Sequence, residues 1–177
     1  SDDVDQYDLT TAWDISTAST NGRFVVAQDT IPKDLFFKPD GLKMYVIGDA
    51  NNGVYEYDLS TAWDVTSASY LQNVSVSDAN PEGLFFKPDG TKMYTIGRGG
   101  TDDVDEYNLS TAWDVTTASL LQSFAIGDTP TGIFFRQDGL KAYITQQTGG
   151  NDRVSEYNLT TAWNSSTLVF SQSFDVS

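Results

Sequence analysis

The chain has 177 residues, of which 25 are acidic and 10 are basic, so its formal net charge is −15. A chain of this length is usually one domain, and its acidity argues against nucleic acid and anionic membranes as partners. Histidine and cysteine are absent. This excludes disulfides, His- or Cys-ligated zinc, and Ser-His-Asp or Cys-His catalysis. No apolar run approaches the ~20 residues of a membrane helix, so we expect no membrane insertion.

Two predicted strands open the chain, over residues 4–9 and 23–28. The first alternates apolar and polar residues, which is typical of a half-exposed strand. Its last residues begin the segment YDLTTAW, which recurs as YDLSTAW, YNLSTAW and YNLTTAW. The segment carries four evenly spaced tryptophans, Trp13, Trp63, Trp113 and Trp163. A fixed period near fifty indicates a repeat architecture.

Each complete repeat contains four predicted strands, which we name a, b, c and d in chain order. In the repeat that includes Trp113 they cover residues 83–86, 92–97, 104–110 and 120–126. Pro88 and Gly90 mark a tight turn between strands a and b. No segment has a helical period. The predicted units are residues 1–30 (a half unit with strands c and d), 31–79, 80–128 and 129–177.

Four-stranded units of ~40–50 residues arranged around an axis form a β-propeller. The stretch FFKPDGTKMYTIG resembles the F-SPDG-LYV segment of YVTN-type and WD-repeat blades. VYEYDLST resembles the WD-repeat strand that ends in Trp-Asp, with Tyr57 and Asp58 in that place. Asn108 and Asn158 replace the aspartate in later repeats, and no histidine is present for the Gly-His dipeptide. The resemblance covers the whole chain and implies an all-β fold of propeller blades, but it implies no particular activity.

The predicted strands number about fourteen, or three and a half blades, whereas closed propellers have about four to eight blades. We therefore expect an open arc or a part of a larger ring. Unpaired strand edges invite pairing with other chains. The expected partners are further blades of a longer chain or copies of the chain itself. The recurring Phe pairs and strand tyrosines are expected inside the blades.

The four tryptophans are interpreted as packing between blades. The alternative is that they form exposed platforms for sugar rings. The Pro-Asp-Gly turns are interpreted as hairpin chemistry. The opposite face carries the b–c and d–a loops, where the repeats diverge, and functional residues are concentrated on such loops. The candidate ligand-binding residues there are Asp34, Asp49, Glu82, Arg98, Asp102, Asp103, Asp128, Asp152 and Arg153, together with Asp29 and Asp78. Solvated loop polarity is the alternative for each of them.

A bound Ca²⁺ is considered at this divergent face, because this hard cation takes oxygen ligands. Asp102 and Asp103 in one loop and Asn151 and Asp152 in another are the candidate ligands. Their spacing matches neither an EF-hand nor a β-helix calcium repeat. No other cofactor is expected.

Two functions are considered. The first is a non-catalytic binding or structural module of an extracellular, cell-surface or phage structural assembly, which binds a glycan or a protein on the divergent face. No catalytic residue is assigned. The second follows from the YVTN-type resemblance, which implies a lactonase-like hydrolase with carboxylates or a metal at the channel mouth. Asp34, Glu82 and Thr131 precede strand a at matching points and are expected to line that channel.

Overall fold

The computed structural model describes residues 2–99, 101–147, 149–150 and 152–176. It contains fourteen strands: β1 (Asp3–Leu9), β2 (Ala18–Val25), β3 (Pro32–Phe37), β4 (Lys43–Gly48), β5 (Gly53–Leu59), β6 (Ala68–Ser75), β7 (Pro81–Phe86), β8 (Lys92–Gly97), β9 (Asp103–Leu109), β10 (Ala118–Ala125), β11 (Thr129–Phe135), β12 (Lys141–Gln147), β13 (Arg153–Leu159) and β14 (Leu168–Asp175). The helical elements in the described ranges are single 3₁₀ turns, at Ile15–Thr17, Val65–Ser67, Val115–Thr117 and Ser165–Thr167. None of them has the length or apolar character that a membrane span requires.

The strands form one two-stranded sheet and three four-stranded sheets, and each sheet is antiparallel in simple chain order. Strands β1 and β2 form the half blade. The complete blades are β3–β6, β7–β10 and β11–β14, with strands a to d in that order. The a strand β7 packs against both β3 and β11, so the a strands line the inner side of the arc. This confirms the predicted all-β architecture of about three and a half propeller blades, which form an open arc or part of a larger ring.

The hydrophobic core lies between successive blades, because each blade buries one face against the next. Tyr45 of one blade packs on Phe86 of the following blade, with ring centroids 4.4 Å apart. Tyr94 and Phe135 repeat this contact one blade later, at 4.5 Å. The same tyrosines donate hydrogen bonds of 2.7 Å to the backbone oxygens of tryptophans in the following blade, Tyr45 to Trp113 and Tyr94 to Trp163. Each interior blade therefore depends on the following blade for both aromatic packing and the hydrogen bond of its tyrosine.

The tryptophans differ in exposure because their neighbouring blades differ. Trp113 stacks on Phe36 of the preceding blade as well as on Phe86 of its own. Trp163 packs in the same way one blade later. Trp63 is 50% exposed and Trp13 is 97% exposed, because only the half blade lies before Trp63 in the described chain, and no blade lies before Trp13. The same indole position is thus an inter-blade contact in the middle of the arc and an open surface at its start.

Two aromatic residues that were expected inside are exposed, which corrects the sequence prediction. Phe134 is 59% exposed, whereas its counterpart Phe85 is buried against the Phe pair of the following blade. Tyr7 is 53% exposed, whereas its counterpart Tyr57 is fully buried in a four-stranded sheet. The prediction assumed that Phe134 and Tyr7 are buried like their counterparts in the interior blades. At the ends of the arc the covering strands are not part of the described structure.

Candidate functional site

The inner strands each begin with a β-bulge, and the bulges bring three side chains to one place. The register shifts between Pro32 and Asp34 in β3, and at the corresponding points of β7 and β11. The residues left out of the pairing are Lys33, Glu82 and Thr131. A bulge bends its strand and redirects the extra side chain. All three residues line one groove of about 320 Å³ on the inner side of the arc, together with Asp34 and Thr145.

This register corrects the sequence alignment of the inner strands. Asp34, Glu82 and Thr131 line the groove together, but Asp34 is not equivalent to the bulge positions Glu82 and Thr131. Asp34 pairs with Ile47 as Gly83 pairs with Ile96, so the counterpart of Glu82 in the first blade is Lys33. Lys33 was missed because its position inside a bulge is not visible from strand alternation.

An ion-pair network lies at the mouth of the groove. Glu82 Oε1 accepts hydrogen bonds from Lys33 Nζ at 3.0 Å and from Arg98 Nε at 2.8 Å. Lys33 Nζ also lies 3.7 Å from Asp49 Oδ2. All four side chains are partly buried. The structure thus brings together three predicted site residues, Asp49, Glu82 and Arg98, around a lysine that the sequence analysis did not select.

Asp34 lies beside this network and has an unusual electrostatic environment. Its Oδ1 accepts from Leu35 N at 2.8 Å and its Oδ2 accepts from Leu84 N at 2.9 Å, which links β3 to β7. Burial raises the pKa of Asp34, and the two backbone N–H groups only partly offset this. A carboxyl group with a raised pKa in a groove is a candidate proton acceptor or donor. The groove and the adjacent network therefore combine two cations, carboxylates and one perturbed acid.

Searches with family models and among curated proteins found no match for this chain. Solved structures do match it. The fold is that of a β-propeller. A periplasmic gluconolactonase of Pseudomonas aeruginosa superposes with a TM-score of 0.66 at 16% identity, covering 99% of this chain and 48% of the other. A candidate 6-phosphogluconolactonase of Bacteroides fragilis gives 0.65 at 15%, covering 99% and 48%. A protein from Lactobacillus plantarum gives 0.68 at 17%, covering 98% and 49%.

These likenesses show the fold alone, since the identities are low. The chain spans about half the length of the solved structures that it matches. The blades described here therefore correspond to part of the propeller in each of those proteins.

A second polar cluster lies between the blades β3–β6 and β7–β10. Asp78 belongs to the d–a connection after β6, while Asp103 and Asp105 lie two residues apart on β9 and so share one face of that strand. Carboxylate oxygens of the three residues lie within 4.8 Å of one another. Asp78 is only 6% exposed. Its burial, followed by the nearby charges of Asp105 and Asp103, raises the pKa of Asp78 to about 7.

Hydroxyl groups surround this acidic cluster. The Ser77 and Ser123 hydroxyls donate to Asp105, and the Thr101 hydroxyl donates to Asp103. Burial also raises the pKa of Asp103. Asp78 Oδ2 is buried and accepts no hydrogen bond from any residue that the structure describes. The cluster is therefore rich in oxygen ligands and has one buried carboxylate oxygen without a donor.

The remaining predicted residues are placed elsewhere, and the expected calcium ligands are only partly brought together. Asp103 joins the cluster, but Asp102 has a φ of +46° and its carbonyl accepts from Ile126 N at 2.9 Å. Asp152 is exposed, and its carbonyl accepts from Val176 N at 2.8 Å in the last blade. Asn151 lies outside the described residues. Asp105, which the sequence analysis passed over, follows from the period of two that begins at Asp103.

Asp128 and Arg153 form an ion pair with each other in the last blade. Asp29 is fully buried at the first complete blade, where its carboxylate accepts several hydrogen bonds. Asp29 and Asp128 therefore each lie where a d–a connection meets a c strand. They are related by the repeat to Asp78.

Proposed function

We propose that this chain contributes part of a propeller hydrolase that opens a sugar lactone in the groove at the inner-strand bulges. The observation that carries the proposal is the groove that Lys33, Asp34 and Glu82 line together, with Arg98 bonded to Glu82 beside it. The lactonases among the structural neighbours support the same substrate class. The blades supply the rigid frame, and their bulges supply the divergent side chains.

The chemistry of the groove suits addition of water to a lactone carbonyl. The cations of Lys33 and Arg98 stabilise the negative charge that develops on the carbonyl oxygen. Asp34 accepts a proton from the attacking water, and the tetrahedral intermediate then breaks the ring C–O bond. The ring oxygen takes a proton as it leaves, so that lactone plus water gives one hydroxy acid. Glu82 holds the two cations in position.

The charges of the groove favour an unphosphorylated lactone. Asp49 and Glu82 lie around two cations, Asp34 lies beside them in the groove, and the chain as a whole carries a net charge of −15. A phosphate group would add about two negative charges to a site that is already acidic. We therefore propose a neutral polyhydroxylated lactone of the gluconolactone type.

Hydrolysis of glucono-1,5-lactone by the 177-residue chain tests this proposal. Acid release is followed by titration with base at pH 6.5, against the spontaneous rate. We expect catalysis by the parent chain and a loss of about 10²–10⁴ in rate for Asp34→Asn, the range of general acid–base contributions. Asp175→Asn, at an exposed acid of β14, is the matched control and keeps full activity. Equal rates for the parent chain and the Asp34→Asn variant would overturn the assignment.

The second candidate is a non-catalytic binding module at the same groove, on a protein located outside the cytoplasm. It is favoured by the closed ion-pair network, in which Lys33 and Arg98 are both already bonded to Glu82 Oε1 rather than free to stabilise a negative charge on a lactone oxygen. Calorimetry with gluconate and with neutral monosaccharides distinguishes the two candidates. Binding that is lost in Glu82→Gln, without turnover of the lactone, supports the module and rejects the hydrolase.

We propose further that additional repeats cover the ends of the arc, either in a longer chain or in a second copy. Glu106 Oε2 accepts from the backbone N of Ser165 in the following blade at 2.7 Å, and Glu56 does the same with Val115 at 3.2 Å. Glu156 is their counterpart in the last described blade. At the start of the chain, Ile15 stands at the position of Val115 and is 85% exposed. The two ends thus carry complementary halves of one contact.

A further inference from the structure

The three complete blades differ in the groups that surround one aspartate of the d–a connection. Each d–a connection carries one aspartate directed toward the following c strand: Asp29, Asp78 and Asp128. At the first junction the carboxylate of Asp29 accepts from Ile31 N at 2.8 Å and from Asn51 N at 3.1 Å. It also accepts from Tyr55 OH at 3.2 Å. The negative charge of Asp29 is thereby satisfied by groups of the protein itself.

The third junction uses a cation of the protein. Asp128 pairs with Arg153 on β13, and Arg153 Nε also donates to Gln146 Oε1 at 3.3 Å. Ser155, two residues further on the strand, donates to the same amide oxygen at 2.6 Å. Here an arginine neutralises the aspartate.

Among the described residues, the middle junction has neither the hydrogen-bond donors that surround Asp29 nor an arginine like the one that pairs with Asp128. Its c strand places Asp103 where the other blades have Gly53 and Arg153, and Asp105 where they have Tyr55 and Ser155. Asp78 therefore faces two further carboxylates, all three are buried, and Asp78 Oδ2 has no donor among the described residues. Burying several carboxylates together is costly unless a cation pairs with them.

We propose that Asp78, Asp103 and Asp105 bind a divalent cation, Ca²⁺, between these two blades. The carboxylates are hard oxygen ligands, and the Ser77, Ser123 and Thr101 hydroxyls stand beside them. The cavity that these residues line measures about 260 Å³, which leaves room for water ligands. Ca²⁺ accepts about 6–8 oxygen ligands in flexible geometry, whereas Mg²⁺ requires a compact octahedron. The irregular mixture of ligands fits Ca²⁺ better.

The position of the site gives the cation a structural role and a link to the groove. Asp78 comes from one blade and the other two ligands from the next, so the cation joins the blades. The b–c loop that leads into Asp103 also carries Arg98, whose guanidinium contacts Glu82 at the groove. A cation held by Asp103 therefore steadies the loop that positions Arg98.

Terbium luminescence tests the proposal directly. Tyr107 OH lies 3.4 Å from Asp105 Oδ2, so excitation of tyrosine sensitises Tb³⁺ bound at this cluster. With TbCl₃ and the chelator-treated 177-residue chain, we expect saturable luminescence at one ion per chain that CaCl₂ displaces. Asp105→Asn and Asp78→Asn each weaken Tb³⁺ and Ca²⁺ binding by about tenfold or more, whereas Asp175→Asn binds as the parent chain does.

Calorimetry with CaCl₂ and MgCl₂ supplies the second readout, and circular dichroism checks that each variant is folded. Unchanged Ca²⁺ affinity in a folded Asp105→Asn variant would overturn the proposal. So would the absence of saturable Tb³⁺ or Ca²⁺ binding at millimolar concentration, or tighter binding of Mg²⁺ than of Ca²⁺. Because these readouts need no substrate, their failure is distinct from failure of the lactonase proposal.

Discussion

At the scale of single residues, the turn glycines and the tryptophans are fitted to each other. Trp113 has a φ of +68° and Gly90 a φ of +74°, both in the left-handed region. A Cβ added at Gly90 would lie 2.3 Å from the Trp113 indole nitrogen. Trp113 N also donates to Gly90 O at 3.0 Å, which holds the YNLSTAW segment against the a–b turn. The two most regular features of the sequence are therefore one structural contact.

Gly90→Ala is expected to destabilise the fold through both steric overlap and backbone strain. Gly127 is the matched control, since it has a φ of +67° but no atom within 4 Å of an added Cβ. Gly127→Ala should cost about 1 kcal/mol from strain alone. Gly90→Ala should cost about 1–3 kcal/mol more, as overpacking does. Urea unfolding measures both, and equal losses would show that the indole contact has no energetic role.

Asp78 makes the stability of the chelator-treated protein depend on pH. Its pKa is about 7 in the folded chain, against about 3.9 in an unfolded chain, so the folded state binds the proton more tightly. This stabilisation is complete below pH 4 and is lost as the pH rises from 4 to 7. Other carboxylates that lose favourable contacts at low pH act in the opposite direction.

The contribution of Asp78 is isolated by comparing Asp78→Asn with the parent chain in EGTA. We expect the variant to gain stability relative to the parent between pH 5 and pH 8, by a few kcal/mol at most, since one pKa unit is about 1.4 kcal/mol. Urea unfolding at the two pH values measures this difference. A difference that does not change with pH would mean that Asp78 is ionised normally.

At the scale of elements, the blades are joined by a hydrogen bond that the chain repeats. Tyr94 is fully buried, and its hydroxyl donates to Trp163 O at 2.7 Å. Tyr94→Phe should cost about 0.5–1.5 kcal/mol, because it leaves a carbonyl without its donor. Tyr143 is the counterpart in the last described blade, and Tyr143→Phe should be nearly neutral in the monomer. Thermal unfolding of both variants tests this, and a similar loss in the two would contradict the role of the blade neighbour.

The strands were accessible from the sequence, but the groove was only partly so. Alternation and Pro-Asp-Gly turns located the four strands of the unit that includes Trp113 to within two residues, whereas β2 (Ala18–Val25) begins five residues before the predicted strand 23–28. The bulge at Lys33 was not visible, because one unpaired residue shifts the register without changing the apolar pattern. The cluster of Asp78 and Asp103 was also hidden, since it depends on which face of β9 meets the preceding blade. The spacing of residues within one repeat does not show which side chains of two adjacent blades come into contact.

At the scale of the whole molecule, the arc has two different ends. The last described blade presents Tyr143, Glu156 and Gln172, whose counterparts in the interior blades all contact the next blade. The first half blade presents Trp13 and Ile15, both largely exposed. The head-to-tail contact that we propose between these ends would close a ring or extend a filament. The large exposed aromatic and apolar area at both ends favours association.

We propose, as the central claim, that the ends of this arc bind further repeats, and sedimentation velocity of the 177-residue chain tests the proposal most directly. We predict particles larger than the 19.4 kDa monomer whose proportion rises with micromolar concentration. We also predict that Ile15→Asp, at the exposed end of the first half blade, returns the chain to a monomer. A compact monomer that unfolds cooperatively at every concentration would contradict the account.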